Sequence, residues 1–398
     1  MIENRDIIII GSDWSLQAGF LQTIAKLLVR RNRVLWISGI PLRPPRVDVR
    51  DFRRIVQKGR MMLATSVDSY DRSSPVTEVH PFFIPFYDNA VVRRFNDRQL
   101  RSLLLAKIRE LGFKNYLLFT QNPMVASVIG TLGESSSHYM CIDDFAANKD
   151  SFRCLDSLEQ ETLGRVDSCF VMSDILMKTR IPQSGEIHFL RDGVDLDHFK
   201  ARKDPPPEPL ANIKKPVVGY AGILEWWVDY DLLDRCATAY PDVSFVIIGA
   251  VKTDISILSR HSNITCLGHV PVEDLPRYLE FFDVGLIPRR INRLTVAMNP
   301  RKLLEYLAME MPVVSTNLPE VKKFADLVSV ADNDEQFVRL VGEALNDNSP
   351  ERKRSRRQLA ERYSWQSVVD GMSDVMLAIE RRKGSVPETN ANAHSSRH

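Results

Sequence analysis

The sequence predicts an α/β protein built as two similar halves, and three observations carry the prediction. Short, almost wholly apolar runs alternate with helical stretches at roughly the spacing of a βαβ unit, about 30 residues. Several of those runs close on glycine, as in Ile7-Ile8-Ile9-Ile10-Gly11, Tyr220-Ala221-Gly222 and Ile247-Ile248-Gly249, which is how a buried parallel strand turns out of its sheet. Between the two series stands Asp204-Pro205-Pro206-Pro207-Glu208-Pro209, which can be neither helix nor inner strand and reads as an extended connector. The 398 residues exceed one average domain. The expected partition is a first α/β unit over 1–203, a linker over 204–215 and a second unit over 216–363. A terminal helix over 364–380 is expected to pack back on the first unit, and 381–398 to be a disordered tail.

In the first half the strands are expected at Asp6 to Ile10, Val34 to Ser38, Tyr116 to Thr120, His138 to Ile142, Ser168 to Met172 and Ile187 to Leu190. Helices are expected over about Leu16 to Arg30, Arg98 to Leu111 and Leu155 to Leu163, from their 3.6-residue apolar spacing. Pro81 to Phe86 is a proline-bounded strand or loop. The second half predicts strands at Pro216 to Tyr220, Val243 to Ile248, Ile264 to Leu267, Val284 to Ile287, Pro312 to Thr316 and Leu327 to Val330. Its helices fall over Tyr230 to Ala239, Val272 to Phe281, Arg301 to Met311, Asp334 to Leu345 and Glu351 to Arg362, with a last one from Ser364-Trp365 to Ile379.

Apolar residues make up 44% and charged residues 26%, ordinary for a soluble globular chain. A formal net charge of +2 does not call for nucleic acid. Five cysteines without metal-like spacing suggest a reducing compartment and buried thiols, and no metal site is expected. No run reaches the length of a membrane span, and MIENRDIIIIG is not read as a signal peptide. A cytoplasmic protein is expected, with association to the inner face of the membrane left open. One segment bears on that: Arg43 to Arg60 holds seven Arg or Lys against Asp48 and Asp51, interleaved with Val47, Val49, Phe52, Ile55 and Val56. Such a mixture suits an interfacial or acceptor-facing element, or simply a solvated, partly helical excursion.

Two places carry the chemistry. In Asn299-Pro300-Arg301-Lys302-Leu303-Leu304-Glu305, Asn299 and Pro300 read as N-cap and first helical residue. Arg301 and Lys302 then burden a helix end that is already positive. A bound diphosphate would resolve that conflict, and Glu305, on the same face as Lys302, would accept hydroxyl hydrogen bonds from a ribose. A solvated surface ion pair is the plainer alternative. In the first half, Asp143-Asp144 closes an expected parallel strand, where open α/β sheets place their ligands. A carboxylate there orients or deprotonates a hydroxyl, although an N-cap would also use one.

Taken in order, Gly219-Tyr220-Ala221-Gly222, Pro241-Asp242-Val243 running to Ile248-Gly249, Gly268, Lys302-Leu303-Leu304-Glu305-Tyr306-Leu307-Ala308 and Pro312-Val313-Val314-Ser315-Thr316 with Pro319-Glu320 resemble a known family. So does Asp192-Gly193-Val194-Asp195 with Phe199. The family is the group-1, retaining family 4-like glycosyltransferases of the GT-B fold, in particular bacterial surface-polysaccharide and teichuronic-acid-type enzymes. The resemblance implies two Rossmann-like α/β/α domains facing across a cleft. It implies a nucleotide-diphosphate sugar as donor, with no cofactor and no metal required, and a glycan, lipid-linked or small-molecule acceptor. Residue by residue it implies that Glu305 holds the ribose and that Arg301 or Lys302 meets the diphosphate. Arg289, in the Pro288-Arg289 loop, lines the donor pocket, Gly11 begins a loop near the phosphates or acceptor, and the contact to the donor sugar falls to Asn292, Arg293, Asn299 or Glu320.

One departure is plain. Many members carry a second glutamate eight residues before the ribose-binding one, and position 297 here is alanine. This leaves the sugar and the stereochemical outcome open. In a retaining reaction Asp143 and Asp144 orient and stabilise charge; in an inverting one, one of them, with Asp144 favoured, is the general base. The competing functions are a nucleotide-sugar 2-epimerase of the same architecture and a non-catalytic nucleotide-binding protein. A hydride-transfer enzyme is disfavoured by the lack of a GxGxxG loop.

Overall fold

The computed structural model describes residues 1–12, 14, 19–44 and 76–385. Most of the basic segment 43–60, and 386–398, lie outside them. In chain order the first half contains β1 (Asp6–Ile10), α1 (Phe20–Leu28), β2 (Arg33–Ile37), β3 (Val76–Val79), α2 (Ala90–Leu111), β4 (Leu117–Thr120) and β5 (Ser136–Cys141). It continues with α3 (Leu155–Leu163), β6 (Ser168–Val171), α4 (Asp174–Thr179) and β7 (Glu186–Phe189). The second half opens with β8 (Val217–Ala221), α5 (Tyr230–Ala239), β9 (Ser244–Ile248), β10 (Ile264–Gly268), α6 (Leu275–Leu279) and β11 (Val284–Ile287). Then come α7 (Arg293–Val296), α8 (Lys302–Ala308), β12 (Val313–Thr316), α9 (Pro319–Lys322), β13 (Ser329–Ala331), α10 (Asp334–Ala344), α11 (Pro350–Glu361) and α12 (Trp365–Ser385).

The strands form two sheets, ordered β3-β2-β1-β4-β5-β6-β7 and β10-β9-β8-β11-β12-β13, with parallel neighbours throughout. Each sheet is covered on both faces, as a parallel sheet must be. The period of two shows at once in β1: Ile8 and Ile10 join the core under α2 and α3, while Ile7 and Ile9 face the opposite core under α1. That second core also contains Trp365, Val368, Val369, Met372 and Met376 of α12, so the last helix covers the first sheet. In the second half α8 lies on one face of the sheet, and α5 with α10 on the other. No described helix is long and apolar enough to cross a membrane.

Several expectations are corrected. Helix α2 starts at Ala90, well before Arg98, because the Asn89 side chain accepts from the N–H groups of Val91 and Val92 at 2.9 and 3.2 Å, a cap without an apolar pattern beside it. Strand β3 and the short helices α4, α7 and α9 had no periodic signal of useful length. Helix α12 runs on to Ser385, so residues 381–385 are not tail. Lys383 pairs with Asp167 at 2.8 Å and Arg382 with Glu186. The N-cap assigned to Asn299 falls instead at Arg301, whose backbone is already helical and whose side chain caps nothing. Pro300 begins a tight turn in which its carbonyl accepts from Leu303 at 2.9 Å, leaving Asn299 to face the first half.

Candidate active site

In each sheet the strand order reverses once, between β1 and β4 and between β8 and β11. Ligands of open parallel sheets lodge in the crevice at such a reversal, beyond the carboxyl ends of the strands. In the second sheet the crevice is flanked by Gly222, directly after β8, and by Pro288-Arg289, directly after β11. Gly222 (φ +153°) and Gly249 (φ +153°) lie so close that a Cβ on Gly249 would fall on the Gly222 carbonyl oxygen. A Cβ on Gly222 itself would stand 2.8 Å from Lys302 Nζ. The absence of side chains there brings bare backbone against a lysine.

Lys302 is buried, with Nζ 5.0 Å from the centroid of the Tyr220 ring. Burial pushes its ammonium well below the usual lysine range, the neighbouring Arg289 adds to this, and Glu305 opposes it. Burial raises Glu305 in turn, while Arg301 and Lys302 pull it back. A solvated surface pair therefore does not describe these residues. Arg289 is 8% exposed. Its backbone N–H donates to Thr316 Oγ1 at 3.1 Å and its guanidinium lies 5.9 Å from the Trp227 ring centroid, yet Nε and Nη1 are buried without a partner. A buried, unpaired cation costs several kcal/mol, on the order of 3–5. Two cations held out of water at one crevice have the electrostatics of an anion site.

Asp143, in the turn after β5, faces this group from the first half. Burial pushes its carboxyl up to about 7; Arg289 lowers it, and Asp192 and Asp144 raise it further. Asp144 is differently placed. It is buried and accepts from Arg180 Nη2 at 2.8 Å and from Arg293 Nε at 2.7 Å. Arg180 is in turn paired with Glu159 at 2.8 Å. Both carboxylate oxygens of Asp144 are thus engaged by arginines, and Asp144 ties α7 of the second half to the first.

Glu320 is also corrected. It is fully buried, and both carboxylate oxygens are occupied: Asp174 N–H donates at 2.9 Å, Arg191 Nη2 at 3.1 Å, and Lys323 Nζ at 2.8 and 2.9 Å. It joins the halves and has no oxygen to spare for a donor. Asn299 keeps an unpartnered, buried Nδ2 and its Oδ1 lies 3.5 Å from Arg191 Nη1. Arg301 donates from Nε to Asp192 Oδ2 at 3.3 Å, with its guanidinium 5.3 Å from the Trp365 ring centroid. Gly11 has a packing reason of its own, since a Cβ would stand 2.8 Å from the Trp36 ring and 2.9 Å from Leu21. Much of the loop it begins lies outside the described residues. Ala297 is buried in the core of the first half, so the position where a glutamate was missed is an interface contact.

Thus Asp143, Arg289, Lys302 and Glu305 come together at the crevice, and Asp144 and Glu320 hold its walls. Sequence reasoning missed Asp192 as a charged neighbour, although its Asp-Gly pair was visible, and missed Trp226 and Trp227. Trp226 meets Lys149 of the first half, Nζ lying 4.7 Å from its ring centroid. A tryptophan pair in the loop after the strand-ending Gly222 was the available signal.

Comparison with known proteins follows the same geography. Residues 215–347 match the model of the family described as glycosyl transferases group 1. Over 227 residues, 54% of the chain, the sequence is 28% identical to TuaH of Bacillus subtilis (strain 168), named for teichuronic acid biosynthesis as a glycosyltransferase. The match spans 57% of that relative, little more than half its length. In three dimensions the chain is similar to a sucrose-phosphate synthase from Thermosynechococcus elongatus, with a TM-score of 0.72 over 95% of this chain and 100% of that one at 12% identity. It is also similar to Alr3699/HepE of Anabaena in complex with UDP, with a TM-score of 0.66 over 94% and 100% at 13% identity. At such identities these structures speak to the fold alone. The chain therefore has the GT-B fold, and the match to group 1 glycosyl transferases lies in its second half.

Proposed function

We propose that this protein is a glycosyltransferase that moves a sugar from a nucleoside-diphosphate sugar onto a glycan or lipid-linked acceptor in surface-polysaccharide or glycoconjugate synthesis. The observation that carries the reading is the pair of buried cations, Arg289 with Nε and Nη1 unpartnered and Lys302 beside the bare backbone of Gly222. They stand where a diphosphate leaving group would gather charge as the anomeric C–O bond breaks. Glu305, one turn along α8, accepts the ribose hydroxyls. Asp143, across the crevice, addresses the acceptor hydroxyl. The group 1 match and the named activity of the B. subtilis relative support the reaction class.

In the retaining course that the family resemblance implies, the acceptor oxygen attacks on the face the phosphate leaves, and its proton passes to a phosphate oxygen. Asp143 then orients the hydroxyl. A second reading rests on one observation, the carboxyl of Asp143 pushed up to about 7, which suits a general base at neutral pH. In that course the acceptor proton passes to Asp143 and the anomeric configuration inverts.

Purified protein titrated with a panel of UDP-, GDP- and dTDP-sugars tests the proposal. UDP-sugars head the panel because the Anabaena neighbour was solved with UDP. One donor is expected to bind and be slowly hydrolysed. Arg289→Ala and Lys302→Ala should each weaken binding by on the order of 100-fold, comparable to loss of a charge-assisted contact in a dry site, and Glu305→Ala should weaken binding of the ribose-containing donors. If no nucleotide sugar binds, or if the variants bind as the parent does, the proposal fails. NMR of the transferred anomeric proton separates the two stereochemical courses.

A further inference from the structure

Half of the large apolar side chains that stand clear in the described structure lie within one short stretch of the first half. Phe82 is 41% exposed, Phe86 60%, Val91 74% and Phe95 50%. The first two belong to the loop after β3 and the others to the opening of α2. The loop is held to the helix where Asn96 bonds the backbone N–H and C=O of Ile84, at 3.0 and 2.9 Å, so the four side chains belong to one corner. Val91 and Phe95 stand four residues apart, on one face of α2. Arg94, Arg98 and Arg101 follow the same spacing beside them and are exposed. Arg94 and Arg98 have no hydrogen bond or ion pair among the described residues. Of the carboxylates nearby, Asp88 accepts from the Cys154 N–H at 2.9 Å, and Asp97 is half-buried.

Clustered apolar side chains of this size are uncommon on a soluble surface and mark a contact. Here they project from a loop and a helix end as separate prongs, with unpaired guanidinium groups alongside. That is the chemistry of an amphipathic surface entering the headgroup layer, aromatic rings at the acyl boundary and arginines at the phosphates. The position in the fold adds direction. The loop leaves the carboxyl end of β3, so it lies along the same edge of the sheet as the turn bearing Asp143. It also touches the segment beyond that turn, where the Tyr87 and Phe152 rings lie 5.5 Å apart.

We propose that this corner, formed by Phe82, Phe86, Val91 and Phe95 with Arg94 and Arg98, docks the protein on an anionic lipid bilayer with the mouth of the cleft turned to the surface. The assignment goes beyond the transferase reading and does not depend on it.

Co-sedimentation with vesicles tests it, using phosphatidylcholine alone and phosphatidylcholine containing phosphatidylglycerol. The parent should bind the phosphatidylglycerol vesicles, more weakly at high salt, and bind phosphatidylcholine poorly. Phe86→Asp with Phe95→Asp, and separately Arg94→Glu with Arg98→Glu, should each reduce binding at least tenfold. Ile181→Asp, which removes an equally exposed apolar side chain elsewhere, should leave it unchanged. Thermal melting and nucleotide-sugar titration of the same variants report folding independently. If one pair fails to fold, the other decides. No binding of the parent to phosphatidylglycerol vesicles overturns the proposal. So does binding that survives both double substitutions, which would place the contact elsewhere, for instance in the basic segment 43–60.

Discussion

At the scale of single residues, the two aspartates after β5 show how one dipeptide divides its work. Asp144 is spent on Arg180 and Arg293, whereas Asp143 is desolvated with Arg289 for company and its carboxyl lies at about 7. The linkage has a definite sign. Between the ordinary aspartate value near 4 and about 7, the unfolded chain has released this proton and the folded chain still holds it. The group's contribution is therefore full below about 4 and is lost as pH rises through 7. Asp143→Asn should melt at a higher temperature than the parent at pH 8, with the advantage shrinking toward pH 5. Calorimetric melts across that range check it, and an unaltered pH profile would place Asp143 in water. Lys302 and Glu305 were legible from residue type and position along the helix, and Arg289 only through the family resemblance. The occupation of Asp144 and Glu320 was not, because a carboxylate's partners come from distant segments such as Arg293 and Arg191, and no local spacing reports them.

The elements themselves were the most legible level. Tyr230–Ala239, Leu155–Leu163 and Val284–Ile287 were bounded by the sequence pattern to the residue, since apolar periodicity and end signals agree there. What escaped were the elements too short to show a period, together with β3, whose four residues carry only a weak alternation. The glycines that close strands did more than mark ends. Gly222 and Gly249 share a backbone region with φ near +153° that side chains rarely enter, and they lean on each other. Gly249→Ala is expected to cost about 1–3 kcal/mol in backbone strain and to weaken donor binding at least tenfold by displacing the Gly222 carbonyl. Gly268→Asn, at a φ of +72° with open space around its Cα, should do neither. Urea unfolding and nucleotide-sugar titration of the two variants distinguish them. Equal behaviour would mean that the Gly222 backbone tolerates displacement.

For the whole molecule, the question is what holds two sheets across one cleft. Polar ties do much of it: Asp144 with Arg293, Asp192 with Arg301, Asp174 with Lys323, and Glu320 with Arg191. The exposed side chain of Arg293 makes the first of these modest, whereas Glu320 is wholly buried. Removing its carboxylate leaves the buried Arg191 guanidinium without its ion-pair partner, while Lys323 keeps Asp174 at 2.8 Å, so Glu320→Ala should lose about 3–5 kcal/mol of stability, with Glu320→Gln recovering part. Donor affinity measured well below the melting temperature should change little. A variant that kept its stability and lost only donor affinity would return Glu320 to the donor site.

The last helix has a consequence for how this chain is made. A ribosome completes the seven strands of the first sheet by Phe189, but the face that receives Trp365, Val368, Val369, Met372 and Met376 stays bare until the second half and the helix that follows it have been synthesised. At roughly 5–20 residues per second that is an interval on the order of ten to thirty seconds. For that time a strip of Ile, Phe and Met waits in water while the second half is still emerging. Vectorial synthesis thus leaves the first half apolar on one side until the residues from Trp365 onward emerge, and a nascent chain stalled before Trp365 is a natural client for a chaperone.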